Sequence, residues 1–299
     1  NVAFLFPGQG AQALGMGRDL CSAFPAAQAL FDRASSVLGY DLLAACIDGP
    51  KERLDSTAVS QPALFVASLA ALEKLRHDDP DAEKACAAAA GLSLGEYTAL
   101  CFAGAISFED GLRLVKTRGE AMQAAADARA SAMSALLLLE ETQVEEICKK
   151  ASGKGLIRIA NYLCPGNMAV SGDTAAVEEA ERLATEAGVR AQRLAVAGAF
   201  HTPIMQPAVE RLEAALASAT FSAPRVPVWA NVTGKPYAGP DEMRAALARQ
   251  MVEPVRWEAI MRGMLEAGIE RFIEVGPGQV LSRLMRRINR HAECTNVPA

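Results

Sequence analysis

The sequence lacks the signatures of several protein classes. Aromatic residues make up only 5% of the 299 residues, and no apolar run approaches the ~18 residues that a membrane span needs. The net charge is −5, without the basic field that nucleic-acid binding requires. Its seven cysteines are an odd number and form no CxxC pair, so neither a disulfide framework nor a metal site is indicated. These absences argue against membrane, nucleic-acid-binding and disulfide-rich proteins.

What is present is an Ala/Leu-rich chain, 51% hydrophobic, in which predicted strands alternate with predicted helices. Predicted strands include residues 2–6, 84–90, 226–230 and 271–275, and we expect a helix to start near Ser60 with Pro62 in its first turn. The chain opens at Asn1 rather than Met, and we expect any targeting peptide to lie outside these residues.

Residues 131–196 have a different pattern, with predicted strands and helices in the order βαββαβ and a last strand over 189–196. That order is the ferredoxin-like motif. We therefore predict an α/β fold with a large α/β-hydrolase-like domain, built on a parallel sheet, and a small inserted ferredoxin-like domain. The predicted limits are 1–128 and 198–299 for the large domain and 129–197 for the small one. A cleft between two such units is where ligand sites tend to lie.

Gly91-Leu92-Ser93-Leu94-Gly95 fits the Gly-x-Ser-x-Gly nucleophile elbow, with a predicted strand before it and a predicted helix after it. Such a turn exposes the serine hydroxyl and directs a helix N-terminus at a developing oxyanion. The alternative is an ordinary Gly/Ser turn without a catalytic role, and the flanking strand and helix favour the elbow.

A nucleophilic serine needs a base, and the chain has three histidines. His77 and His291 lie in charged stretches typical of the surface. His201 lies in the apolar segment Ala199–Pro203, where the small domain returns to the large one, and is our candidate base. No acidic residue stands out as a third member, so a backbone carbonyl could orient the imidazole.

Two further features have open interpretations. Gly8-x-Gly10-x-x-Ala13 follows a strand, as in dinucleotide-binding proteins, but the required second strand is missing because residues 28–36 look helical. The glycine loop could instead supply an N–H to an oxyanion hole. Arg118, on a predicted helix, could bind a substrate carboxylate with its forked donors, although a helical arginine is more often a surface charge.

Across essentially its whole length the chain resembles the malonyl-CoA:acyl-carrier-protein transacylase family. The resemblance rests on motifs in matching order, which are Phe6–Gly10, Gly91–Tyr97, Arg118–Met122, Asn161, Gly198–His201, Gln250-x-x-x-Pro254 and Glu274–Gly278.

The resemblance implies Ser93 as nucleophile and His201 as base, with the backbone carbonyl of Gln250 orienting the histidine. It also implies that the backbone amides of Gln9 and Leu94 form the oxyanion hole. Arg118 would bind the malonyl carboxylate, and the remaining substrate-binding residues would be Met122, Asn161 and Phe200. Phe200 resembles the malonyl-selecting form of its motif.

The implied function is malonyl transfer from coenzyme A to acyl carrier protein in fatty acid synthesis. No metal or other cofactor is expected, the partners are the carrier protein and the coenzyme A thioester, and we expect a monomer. Carrier proteins are acidic, so Arg283, Arg286, Arg287 and Arg290 form a candidate docking surface, although an ordinary solvated helix end explains them equally.

One position departs from the family, because most members have histidine where this chain has Leu92. The Gly-Leu-Ser-Leu-Gly-Glu-Tyr form is similar to the plant and algal organellar branch and predicts the plastid stroma, with the mitochondrial matrix or bacterial cytoplasm as alternatives. Two other functions stay open. A thioesterase or other serine hydrolase would share the elbow but have no use for Arg118, and a non-catalytic carrier-binding relative would not need Ser93 and His201.

Overall fold

A five-stranded parallel sheet forms the centre of the computed structural model, which describes residues 1–299. Its strands are β1 (Val2–Phe6), β2 (Cys86–Gly91), β7 (Val228–Trp229), β8 (Arg271–Val275) and β9 (Glu293–Val297). They lie in the order β7-β2-β1-β8-β9. Every residue of β1 is buried, because helices cover both faces of the sheet, as a parallel sheet requires.

Helices pack on both faces of this sheet. They are α1 (Arg18–Ala23), α2 (Pro25–Leu38), α3 (Leu42–Ile47), α4 (Lys51–Asp55), α5 (Thr57–Asp78), α6 (Gly95–Phe102), α7 (Phe108–Ala128), α10 (Gln206–Ser218), α11 (Pro240–Gln250), α12 (Trp257–Glu266) and α13 (Val280–Ile288). Residues 28–36 lie within α2, so the second strand of a dinucleotide-binding unit is absent there.

A second, antiparallel sheet has its own helices and its own hydrophobic core. Its elements in chain order are β3 (Ser131–Leu137), α8 (Glu141–Ala151), β4 (Ile157–Cys164), β5 (Asn167–Asp173), α9 (Thr174–Glu186) and β6 (Ala191–Arg193). The strand order is β4-β5-β3-β6, so the βαββαβ unit and the mixed α/β fold are confirmed. The limits 1–128, 198–299 and 129–197 stay a prediction.

Three predicted elements differ from the structure. The strand predicted over 226–230 is only Val228–Trp229. Helix α5 begins at Thr57, so Pro62 lies inside it rather than in its first turn. The strand predicted over 189–196 is too long, because β6 ends at Arg193. It is an edge strand paired only with β3. The amide of Leu194 still donates to the carbonyl oxygen of Met133 in β3, and Leu194 and Val196 line the cleft.

The antiparallel sheet is joined to the chain segment after α11 beside that cleft. Asn161 of β4 forms a parallel bridge with Val255, which follows α11. The amide of Tyr162 donates to the carbonyl oxygen of Val255 at 2.9 Å, and the amide of Val255 donates to that of Ala160 at 2.8 Å. Backbone hydrogen bonds therefore join the small unit to the segment that carries Gln250.

Candidate active site

The candidate residues meet at the carboxyl edge of the parallel sheet, where ligand sites of α/β proteins form. Gln9 follows β1, Ser93 follows β2 and Asn231 follows β7. His201 arrives from the segment after β6, and Gln250 is the last residue of α11. Residues distant in sequence are thus brought together by the topology.

The turn at Ser93 is a strained elbow. Ser93 has φ of 51°, in the left-handed region that side chains avoid. A Cβ on Gly91 would lie 1.9 Å from the backbone of Gly95, and one on Gly95 would lie 2.1 Å from the carbonyl oxygen of Phe6. Both glycines of the motif are therefore needed for close approach of strand, turn and helix α6.

Ser93 and His201 form a hydrogen-bonded pair, with 2.9 Å between Ser93 Oγ and His201 Nε2. His201 Nδ1 lies 2.6 Å from the carbonyl oxygen of Gln250, which can only accept. Nδ1 must then carry the proton, so Nε2 of the neutral ring is free to accept the serine proton. The imidazole is 3% exposed, and burial, with a smaller effect of the Arg118 charge, lowers the pKa of His201 to about 4.

Arg118 is a buried residue of α7 and not a surface charge, because it is only 1% exposed. Its guanidinium donates to Ser93 Oγ at 3.0 Å and to the side-chain oxygens of Gln61 and Gln250 at 2.8 Å each. Nε of Arg118 is buried without a hydrogen-bond partner, and burial lowers the pKa of the guanidinium. A cation with a spare donor thus lies beside the candidate nucleophile.

The backbone amides of Gln9 and Leu94 donate no hydrogen bond within the chain. Leu94 precedes the first residue of α6, so its N–H belongs to a helix N-terminus that favours negative charge. Leu94 follows Ser93 in the chain, and Gln9 and Ser93 line the same cleft. Two free donors at this point can stabilise an oxyanion.

The cleft beside Ser93 has a cavity volume of about 80 Å³ and is mostly apolar. Met122, Asn161 and Phe200 line it, and their role in substrate binding stays a prediction. The side-chain oxygen of Asn161 is buried without a partner. Leu92 also lines the cleft, and its own contribution to the elbow is a backbone carbonyl that accepts from the amide of Gly95. The hydrogen bonds of the elbow therefore do not depend on the side chain at position 92.

Sequence reasoning missed several residues of this site. Asn231 accepts from the Ser93 amide at 2.7 Å and donates to the carbonyl oxygen of Gly91 at 2.8 Å. Glu96 is buried behind the elbow and accepts from Tyr237 and Gln250, while Gln61 accepts from Arg118. Only Glu96 had a local signal, as a charged residue in the apolar helix α6.

Other features of the chain offer no competing site. His77 is well exposed, and His291 lies on the surface. No group of three or more His, Cys, Asp or Glu side chains is placed to hold a metal ion. None of the helices combines the length and the apolar character needed to cross a bilayer.

Comparisons with known proteins agree with one another. Residues 3–298 match the family model described as an acyl transferase domain. The malonyl-CoA-acyl carrier protein transacylase of Escherichia coli K12 is 41% identical over 96% of this chain and 93% of its own length. The mitochondrial human enzyme of that name is 42% identical over 96% of this chain and 77% of its own length.

Solved structures show the same fold. The acyl-carrier-protein S-malonyltransferase of Bartonella henselae superimposes with a TM-score of 0.95 at 39% identity, covering 99% of this chain and 95% of that one. A malonyl-transacylase in complex with a type II polyketide acyl-carrier protein superimposes with a TM-score of 0.93 at 38% identity, covering 100% of this chain and 96% of that one. Named relatives thus include bacterial and mitochondrial proteins. The chain belongs to the acyl transferase family, among relatives that are malonyl-CoA:acyl-carrier-protein transacylases.

Proposed function

We propose that this chain is an [acyl-carrier-protein] S-malonyltransferase, which moves malonyl from malonyl-CoA to the phosphopantetheine thiol of acyl carrier protein in fatty acid synthesis. The observation that carries the proposal is the buried guanidinium of Arg118, hydrogen-bonded to Ser93 Oγ. In malonyl-CoA the free carboxylate is one methylene from the thioester carbonyl. A substrate carboxylate on Arg118 therefore keeps the reacting carbon close to the serine.

The first half-reaction acylates the serine. Ser93 Oγ attacks the thioester carbon while its proton passes to His201 Nε2. The amides of Gln9 and Leu94 stabilise the oxyanion of the tetrahedral intermediate. The C–S bond then breaks, and the proton on His201 passes to the sulfur of coenzyme A, leaving malonyl on Ser93 as an ester.

The second half-reaction runs the same steps toward the carrier. His201 takes the proton of the phosphopantetheine thiol, whose sulfur attacks the malonyl ester, and Ser93 Oγ recovers the proton as it leaves. The carbonyl of Gln250 keeps the imidazole in the required tautomer throughout. The unpartnered oxygen of Asn161 can accept an amide N–H of the pantetheine arm, and Met122 and Phe200 enclose the methylene.

Neither alternative function uses all of these features. A thioesterase for neutral acyl chains gains nothing from burying Arg118 beside its nucleophile. A non-catalytic carrier-binding relative has no need of the hydrogen-bonded pair Ser93 and His201. The scheme assigns no step to a metal or redox cofactor, so chelation should leave turnover unchanged. We also propose a monomer, which light scattering would test.

We propose the plastid stroma as the location of the protein, on the Gly-Leu-Ser-Leu-Gly-Glu-Tyr form of the elbow alone. Tagging the native protein in its source cell and imaging it would decide among plastid, mitochondrion and bacterial cytoplasm.

The first test is covalent labelling. Radiolabelled malonyl-CoA should give acid-stable label on a peptide that contains Ser93, and Ser93→Ala should abolish both label and transfer. Ser218→Ala, an exposed serine at the end of α10, is the matched control and should label normally. Near-normal transfer by Ser93→Ala would rule out the acyl-serine route.

A further inference from the structure

Glu96 is a buried carboxylate that the transfer reaction described above does not use. It lies in the first turn of α6 and is 1% exposed. No cation contacts it directly. Its Oε1 accepts from the amide of Asn231 at 3.0 Å and from the Tyr237 hydroxyl at 2.5 Å, and its Oε2 accepts from Gln250 Nε2 at 2.5 Å. Burying a carboxylate on neutral donors is costly, so its retention calls for an explanation.

Two of its three donors belong to residues that hold the elbow. The Asn231 side chain bonds the Ser93 amide and the Gly91 carbonyl, on either side of the strained turn. Gln250 Nε2 also donates to the carbonyl oxygen of Ser93 at 3.0 Å. Glu96 therefore contacts the groups that fix the nucleophile without contacting the nucleophile itself.

Gln250 also connects Glu96 to Arg118. Its side-chain oxygen accepts from the Arg118 guanidinium, while its nitrogen donates toward Glu96. The two ends of an amide have nearly the same shape and differ only in hydrogen bonding. In a flipped amide, the NH₂ would face the guanidinium donors and the oxygen would face the carboxylate, so both contacts would be repulsive. The carboxylate of Glu96 thus selects the orientation that gives Arg118 an acceptor.

We propose that Glu96 is a positioning residue, which acts through Gln250 to hold the Arg118 guanidinium in the place where the malonyl carboxylate binds. This inference rests on the proposed malonyl transfer. Since only malonyl engages the guanidinium, loss of Glu96 reduces malonyl transfer more than acetyl transfer.

Glu96→Gln is the informative variant because it keeps the shape of the side chain. Its amide oxygen can still accept from Asn231 and Tyr237, so the elbow stays supported. Its NH₂ would face the NH₂ of Gln250, which must then turn away from Arg118. We expect kcat/KM for malonyl-CoA to fall on the order of 10- to 100-fold, with kcat/KM for acetyl-CoA changed by less than about threefold.

Burial raises the pKa of Glu96 to about 7, against the lowering effect of its hydrogen bonds and of Arg118. Assays at about pH 8 keep the carboxylate ionised in the wild type.

A matched control is Glu274→Gln. Glu274 is equally buried, and its carboxylate accepts from the amides of Leu281 and Ser282 and from the Ser282 hydroxyl, away from the cleft. Its loss should lower thermal stability and leave the malonyl-to-acetyl ratio unchanged. An equal fall of that ratio in both variants would overturn the proposal in favour of general loosening.

A double-mutant cycle tests whether Glu96 acts through Arg118. In an Arg118→Ala background, Glu96→Gln should not change the malonyl-to-acetyl ratio further. An additive effect would overturn the proposal, as would a wild-type ratio in Glu96→Gln alone. If Glu96→Gln does not fold, Gln250→Ala removes the bridging amide but keeps the backbone carbonyl, and should show the same selective loss. Absence of malonyl label on the wild type would instead contradict the proposed function.

Discussion

At Arg118 the molecule buries a full positive charge with no carboxylate in direct contact. A malonyl carboxylate would supply the missing anion, whereas an acetyl group would leave the guanidinium unpaired. This asymmetry is worth about 2–5 kcal/mol. Arg118→Ala should therefore lower the ratio of specificity constants for malonyl-CoA and acetyl-CoA by a factor of roughly tens to thousands. Acetyl transfer itself should be unchanged or faster.

Arg113→Ala is the control for this measurement, because Arg113 is an exposed arginine one and a half turns earlier on α7. It should leave the ratio unchanged. A ratio that also stays constant in Arg118→Ala would remove the physical basis of the malonyl assignment.

His201 provides a prediction about pH. Its pKa is lowered to about 4, first by burial and then by the charge of Arg118. The folded protein therefore keeps the imidazole neutral, and able to act as a base, well below the ordinary histidine pKa of ~6.5. Between these values the unfolded chain binds more protons, so this residue's contribution to stability is complete above about 6.5 and lost as pH falls toward 4.

Nitrogen NMR of labelled histidine should show the His201 ring titrating near 4 while the fold is intact. In Arg118→Ala the midpoint should rise, because the nearby positive charge is gone. A midpoint near 6.5 in the wild type would mean that the ring is solvated.

At the scale of elements, the sequence predicted those features that neighbouring residues determine. The Gly-x-Ser-x-Gly turn carries its own geometric requirement, so Ser93 could be placed between β2 and α6 although the alanine run before it favours helix. The βαββαβ unit followed from the order of the predicted strands and helices. Buried Arg118 needed the resemblance, because its sequence neighbours do not distinguish a cleft from solvent.

What the sequence could not show depends on contacts between distant segments. Glu96 is 135 positions from Asn231 and 141 from Tyr237, and no local pattern connects them. Helix α12 and strand β9 were also missed. Strand β9 has no fully buried residue and becomes a strand by pairing with β8.

Helix α13 offers a prediction about carrier docking. Arg283, Arg286 and Arg287 are exposed on it, and Arg287 reaches the carbonyl of Pro165 in the β4–β5 turn. Charge reversal of Arg286 and Arg287 to Glu should raise KM for the acidic carrier and leave KM for malonyl-CoA unchanged. Charge reversal of Lys149 and Lys150, exposed on α8, makes the same change in net charge and should have little effect. An unchanged carrier KM in the α13 variant would place docking elsewhere.

At the scale of the whole molecule, the site depends on both sheets. Gln9, Ser93 and Asn231 follow strands of the parallel sheet, while Asn161 belongs to the antiparallel one. The bridge between Asn161 and Val255 joins the small unit to the chain segment that follows Gln250, whose carbonyl oxygen bonds His201.

The central position of β1 has a consequence for synthesis on the ribosome. Its neighbour β2 is translated by residue 91, but its other neighbour β8, which pairs with it from Val2 to Leu5, is translated only near residue 271, so one edge of the hydrophobic segment Val2–Phe6 stays unpaired until then. Pairing across such a separation slows folding, whereas the small sheet pairs nearby strands. Pulse-labelled hydrogen exchange during refolding should therefore show β3–β5 protected before β1. Until β8 leaves the ribosome, the nascent chain carries an unpaired strand edge at β1, which is the kind of surface that promotes aggregation.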